Sequence, residues 1–552
     1  MVIFENNLRR FAAFFPFSAY NKMAVTICAL IFSCSCFAYE NPVFDVKNFG
    51  AKADGHAIDT KAIQQAVDSC SASGGGIVYF PPGIYRSATI FLKNNVTLEI
   101  PAGSTVTGST DIKDYPVITP SISYYSSESV HFSLFYAEGA KNICIRGNGL
   151  IDGRGAAFRD HSSLFPSNFT ARPFVFWFVL DSNVNIKNIS MQNSGYWMQH
   201  YLACENVLIE GIRVFNHSNK NNDMLDIDGC KNVRILHCIG DSDDDGITLK
   251  SMNERPDENI LISDCILSSH CNAIKCGTES SGGFKNIIIT NCIIKPSAVS
   301  DHTIYGNPAG NSGITLAAVD GGDLNGIVIN NVMISGPLVP IFFRLGNRAR
   351  PYKPGQKEIP VSHFTNVMVS HIIVEGASKW GCLIAGLPGH EIKNVQLSDI
   401  SINFSGGGTL QESRKKFPEY EKNYPDAEQF GITNAYGFHI RHASNITMRN
   451  ITMQYQGHEE RPPIVLEDAD NVELSGINAK ISAVSDGYIK AINCGKLRIS
   501  DCSASAEGKP EVFLKCEGDA SPDIFLYGND FRNFVKPVDA AHAVIHKYAN
   551  AE

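Results

Sequence analysis

The sequence predicts an all-β solenoid, a parallel β-helix closed at its start by one short helix. Three observations point there. The blocks NVRILHCI, NILISDCI and NIIITNCI open at Asn232, Asn259 and Asn286, each 27 residues after the last. Cys238, Cys265 and Cys292 keep the same step. Within each block apolar and polar residues alternate and β-branched side chains are favoured, which is the period of a strand rather than a helix. A fixed period in the twenties fixes the architecture before any local signal does. It suits one solenoid turn stacked about 4.8 Å from the next. Like positions then form ladders, with Asn at the bend and Cys inside. The cysteines read as a packed apolar row, because neighbours in a smooth ladder lack the geometry of a disulfide.

Residues 1–38 read as an export signal. The segment 23–38, MAVTICALIFSCSCFA, has a short apolar core and small residues before a cut after Ala38. That core is too short to span a bilayer. Residues 1–22 hold Arg9, Arg10 and Lys22, and are either a basic leader region or a start placed ahead of Met23. Lipid attachment through Cys34 or Cys36 is the alternative to soluble export, so the expected location is periplasmic, extracellular or lipid-anchored at the surface. Residues 39–552 read as one catalytic β-helix domain, since a solenoid grows by repetition without splitting. A hydrophobic fraction of 44% excludes disorder. A net charge of −9 without a basic run excludes a nucleic-acid binder. No downstream run is apolar for long enough to cross a membrane. A monomer without cofactor or metal is expected.

The opening, 43–110, gives a strand, a helix and short strands with Pro-Gly turns. Ala62, Ile63, Ala66, Val67 and Cys70 have helical spacing behind a start at Asp59-Thr60, and Gly74-Gly75-Gly76 ends the helix. Such a helix covers a solenoid end that would otherwise aggregate. Residues 111–180 interrupt the ladder and read partly as loops over a cleft, with Tyr124, Tyr125, Phe158 and His161 as sugar contacts or loop packing. Segment 193–207 precedes the aspartates by one turn and offers Tyr196, Trp197 and His200. Residues 405–439 break the period again, and an insertion of that length is usually functional. Arg414, Tyr436 and His439 within it, and Arg441 just beyond it, are candidates to reach substrate.

The chemistry concentrates in 221–280. Asp223, Asp226, Asp228, Asp243, Asp244 and Asp245 lie between two hydrophobic ladders, and His270 follows one turn later. Counted from the Asn that opens each turn, Asp223, Asp244 with Asp245, and His270 fall in the second half of three successive turns. They therefore share one face. Like charges so close cannot all ionise, and a protonated acid beside an ionised base is what glycoside hydrolysis requires. Lys250 and Lys275 lie in strands beside them as candidate substrate contacts. A lyase using a cation near a uronate, or a non-catalytic sugar-binding β-helix, are the competing readings.

This stretch resembles glycoside hydrolase family 28, the polygalacturonases and rhamnogalacturonan hydrolases. Asn221-Asn222-Asp223, with Asp226 following, matches the family's Asn-x-Asp. Asp244-Asp245-Gly246-Ile247-Thr248-Leu249 matches its Asp-Asp block, and His270 in SSHCNAIKCG matches its histidine. The resemblance implies a right-handed β-helix and an inverting hydrolase acting on a pectic polysaccharide or oligosaccharide. In it Asp244 is the general acid, Asp223 and Asp245 activate water, and His270 orients or tunes the acid. Asn221, Asp226, Lys250, Lys275, Trp197 and His200 are the implied or neighbouring substrate contacts. Two departures stand out. Thr315 and Ala317 occupy the places of the family's Arg-Ile-Lys cations, which hold a substrate carboxylate, and Arg344 and Arg348 are the candidates to replace them. Asp243 stands where the family has glycine.

Overall fold

The computed structural model describes residues 41–125, 130–158, 171–301, 303 and 306–551. The leader 1–38 and His161 lie outside them. From Val43 onward the chain is one compact unit of parallel strands. Each turn lies on the one before it with the step seen in the sequence: Lys231 is opposite Glu258, and Glu258 opposite Lys285. Helix Thr60–Ala72 buries Ala62, Ile63, Ala66, Val67 and Cys70 against the first turns, as its spacing predicts. Asp59 sits at its N-cap but does not cap it through the side chain. Its carboxylate instead accepts from Lys52 N (2.7 Å) and Ala53 N (3.0 Å), closing the preceding turn.

One face of the solenoid positions the site. Its strands are β1 (Phe174–Val179), β2 (Gln199–Leu202), β3 (Leu225–Asp228), β4 (Ile247–Ser251), β5 (Asn272–Ser280), β6 (Ser312–Ala318) and β7 (Val339–Leu345). Successive residues of a strand point to opposite faces. The inward row is Tyr201, Ile227, Leu249, Cys276, Leu316 and Phe343, all buried. The outward row is Trp177, His200, Asp226, Thr248, Lys275, Thr315 and Phe342. Beyond β6 the insertion 405–439 packs onto this outer face, where Phe417, Ala427 and Phe430 join Val339, Phe342 and Leu383 in an apolar cluster.

The thirteen cysteines of the described residues are free. Cys292 is in register with Val332, and Ile372, Ile400 and Ile451 continue that row. Exchange of Cys for Val and Ile at one position identifies the row as apolar packing. At the bend, Asn206, Asn232, Asn259 and Asn286 adopt left-handed backbone with φ of 56 to 60°. Each Nδ2 donates to the Oδ1 of the preceding turn, at 3.1 to 3.2 Å. The column runs from Asn95 to Asn286. Gly326 (φ 77°) takes the place where the next Asn would stand, and the ladder resumes between Asn325 and Asn366. An L-residue other than Gly or Asn pays about 1–2 kcal/mol for this conformation. Asn259→Ala is therefore expected to destabilise the protein by about 1–2 kcal/mol. Asn259→Gly should cost less, losing only the two amide hydrogen bonds. Denaturant midpoints compare the two, and equal midpoints for Ala and wild type would rule this account out.

Candidate active site

The carboxylates stand on the turns that lead into β3 and β4. Asp223 lies two residues before β3, and Asp244 and Asp245 lie just before β4. The backbone locks these turns together. Met198 N donates to Asp223 O and Met224 N to Asp245 O, each at 3.0 Å. Adjacent turns are thus one strand spacing apart, about 4.8 Å, and the shared face expected from the repeat phase is present.

Asp245 is surrounded by donors. Lys275 Nζ is 2.9 Å from Oδ2, and Oδ1 accepts from Asn272 Nδ2 (2.7 Å) and Asn272 N (3.1 Å). Burial opposes its charge, but Lys275, Lys250 and Asn272 outweigh burial and hold the carboxyl below its usual range. Thr315 contributes to this. Together with Ser312 it hydrogen-bonds Asn272 Oδ1, which turns the Asn272 amide nitrogen toward Asp245.

Asp244 has a different environment. Its Oδ1 accepts from Asp245 N (2.9 Å) and its Oδ2 from Asn221 Nδ2 (3.3 Å). The Asn221 amide is oriented from behind, because buried Arg172 donates to its Oδ1 at 3.1 Å. Burial, and then the charge of Asp245, push the Asp244 carboxyl up to about 7. The loop 221–223 is held by Asn222, whose Nδ2 donates to the carbonyls of Ser194 and Tyr196.

Lys250 lies among three carboxylates: Asp223 (3.9 Å), Asp226 (3.5 Å) and Glu279 (3.4 Å). Burial foremost, and then Asp226 and Asp244, raise Asp223 far above the ordinary range; burial likewise raises Asp226. Both Asp226 oxygens and Asp223 Oδ1 lack a hydrogen bond. Glu279 reaches this cluster because β5 bulges against β4: Leu249 pairs with Cys276, but Ser251 pairs with Ser280. Arg350 holds Glu279 from the other side at 2.7 Å.

Several expected contacts are placed otherwise. His200 has no exposed surface, and its Nε2 is 3.0 Å from Asp228 Oδ2. Trp197 is not open to a sugar: Tyr196 stacks against it at 5.0 Å, and the Lys250 ammonium lies 4.6 Å from its ring centroid. His270 bonds Asp243 Oδ1 (3.2 Å) and Val299 O (2.8 Å) rather than Asp244. Burial opposes its charge, but those two acceptors outweigh it and raise the imidazole. Arg344 is in register with Ala317 one turn later, but its guanidinium is occupied by backbone carbonyls. Its guanidinium donates to the carbonyls of Gly386 (3.0 Å) and Glu419 (2.6 Å), with Ala385 and Tyr420 at 3.5 and 3.3 Å. Arg344 anchors the insertion. Arg348 stays at the edge of the site, gripping Asp320 and Thr278, 4.0 Å from Glu279. Tyr436 and His439 are fully buried, Arg441 is held by Glu419 and Glu467, and Arg414 pairs with Asp486 at the surface.

Arg172, Asn272, Glu279 and Tyr424 join the site without having been read from the sequence. Tyr424 comes from the insertion, and its ring centroid is 5.7 Å from Lys275 Nζ and 5.6 Å from the Arg348 guanidinium. Glu279 had a signal, because it alternates with Lys275 and Gly277 along one strand.

The model of glycosyl hydrolases family 28 matches residues 89–422. The chain belongs to this family. A probable polygalacturonase of Vitis vinifera is 30% identical over 267 residues, 45% of this chain and 53% of that protein. An exo-poly-alpha-D-galacturonosidase of Dickeya chrysanthemi is 22% identical over 340 residues, 52% of this chain and 54% of that one. The chain spans about half the length of the curated relatives it matches. Among solved structures, an exopolygalacturonase of Thermotoga maritima superimposes with a TM-score of 0.58 at 20% identity, covering 75% of this chain and 92% of the other. A family 28 exopolygalacturonase of Yersinia enterocolitica gives 0.59 at 17%, covering 79% of each. These likenesses establish the family's right-handed β-helix.

The anchoring role of Arg344 is testable. Arg344→Met is expected to open 415–430 to limited proteolysis at native temperature. A variant as resistant as wild type, with only substrate affinity lowered, would return Arg344 to the substrate.

Proposed function

We propose that this family 28 protein is a glycoside hydrolase that cleaves a galacturonate-containing pectic chain with inversion. The observation that carries this is the contrast between two adjacent carboxyls. Asp245 accepts from an ammonium and two N–H groups, an arrangement that favours the ionised form. Asp244 accepts only from one backbone N–H and one side-chain amide, and it keeps partial solvent access. Asp244 then protonates the departing glycosidic oxygen. Asp245 removes a proton from the water that attacks the opposite face of the sugar, and Asp223, one turn below, holds that water on the same face. Lys275 and Asn272 hold Asp245 in position, and Lys250 offsets the carboxylates beneath.

A pectic substrate is supported by the family and by relatives named as polygalacturonases. The replacement of the family's cations by Thr315 and Ala317 favours a second reading of the linkage. In that reading the cleaved bond is a rhamnogalacturonan one, whose substrate carboxylate needs no cation at those two positions. Action outside the cytoplasm rests on the leader read at 23–38.

Polygalacturonate, rhamnogalacturonan and their oligomers distinguish the two readings. Reducing ends should appear without the ultraviolet absorbance of an unsaturated uronate. Asp244→Asn and Asp245→Asn should each lower kcat by about 10²–10⁴-fold. Unsaturated products, or an Asp244→Asn enzyme of wild-type activity, would overturn the proposal.

A further inference from the structure

Beside the reacting carboxyls lies a second cluster that the hydrolytic steps do not use. His217, Asp243 and His270 stand on three successive turns. One ligand atom from each falls within 4.8 Å of the other two. The two imidazole rings meet edge to face, with centroids 4.9 Å apart.

Each imidazole is already oriented through one nitrogen. His217 Nε2 is 2.9 Å from Asp241 Oδ1, and Asp241 is itself fixed by Ser297 Oγ (2.6 Å) and Ala298 N (2.8 Å). His270 Nε2 is 2.8 Å from the carbonyl of Val299. A carbonyl only accepts, and so does an ionised carboxylate, so each Nε2 carries a proton. His217 Nδ1 is buried and has no hydrogen-bond partner, on a side chain that is 8% exposed. His270 Nδ1 faces Asp243 Oδ1 at 3.2 Å. Metal-ligating histidines have this outer arrangement. The nitrogen away from the metal donates to a carboxylate or a backbone carbonyl, which fixes both tautomer and ring.

We infer that His217 Nδ1, His270 Nδ1 and the Asp243 carboxylate form a binding site for a divalent transition-metal ion of the zinc class, completed by solvent on the Asp243 side. Two imidazoles and a carboxylate suit zinc. Calcium and magnesium take oxygen ligands instead. In the metal-free protein His270 offers N–H groups to both Asp243 and Val299. Binding replaces the Nδ1 proton with the metal and releases that proton to solvent. His270 matches the family's histidine, but Asp243 stands in place of the family's glycine, so the complete donor set is not part of the family's motif. The inference is independent of the hydrolytic reading, because metal uptake is measured without substrate.

The test uses the full chain stripped with a chelator. Zinc chloride is titrated by calorimetry, and cobalt(II) is followed by visible absorption. One equivalent of zinc is expected, with a cobalt spectrum of a low-coordinate nitrogen–oxygen site. His217→Ala should abolish the stoichiometric uptake, and Asp241→Asn should weaken it by about 10–100-fold. No stoichiometric uptake by the wild type overturns the inference. So does uptake that His217→Ala leaves intact, which would place the ion elsewhere, as on Asp244, Asp245 and Cys271. Melting in chelator checks that each variant folds. If His217→Ala does not fold, Asp241→Asn decides, because it keeps both imidazoles, and unchanged zinc affinity in it is an overturning result.

Discussion

Lys250 and Lys275 enter the outer face of the sheet with almost no exposed surface, and five carboxyl groups gather around them. A buried ammonium is costly unless paired, and so is a buried carboxylate. Neither lysine can leave without stranding an acid, and the acids cannot all ionise around two cations. The division of labour proposed for the site rests on this. Glu279 is held ionised by Lys250 and Arg350, and of the two adjacent aspartates the one closest to a lysine and best supplied with N–H donors, Asp245, favours the ionised form. The neighbour that is offered only an amide and a backbone N–H, Asp244, is pushed up toward its protonated form. Charge pairing thus gives two adjacent carboxyls opposite tendencies, which the backbone alone would make equivalent, and the proposed acid and base roles rest on that contrast.

The solenoid makes such pairing possible by repetition. Residues 20 to 30 apart in sequence become neighbours one strand spacing apart, so Asp226 meets His200 and Thr248 by register alone. Where register would have put a residue out of reach, a local irregularity corrects it. The bulge of β5 carries Glu279 to Lys250. The insertion 405–439 brings Tyr424 over Lys275 while its own fixation falls to Arg344, a residue far from it in sequence.

What could be read in advance follows the same division. The repeat, the cysteine row, the capping helix and the phase of the aspartates depend on periodicity, and periodicity is visible in a sequence. The direction of a long side chain is not. Arg344 occupied a suitable register, but its guanidinium follows carbonyls contributed by residues 419 and 420. Trp197 was a candidate sugar platform, but its ring is covered by a lysine from two turns later. Arg172 orients Asn221 across 49 residues of sequence, and no local pattern announces such a relay.

The asparagine column has a consequence beyond the bend it stabilises. Every amide in it points the same way, nitrogen toward the earlier turn and oxygen toward the later one. Hydrogen bonds in such a head-to-tail chain polarise one another. The column therefore acts as a spine along which adjacent turns reinforce each other, and Gly326 is a missing vertebra in it. In a quasi-one-dimensional molecule, stability is a sum of repeats and the couplings between them. The turns that bear the carboxyls all lie on the N-terminal side of the gap. Fraying that begins at the C-terminal end therefore crosses a break in the column before it reaches the chemistry.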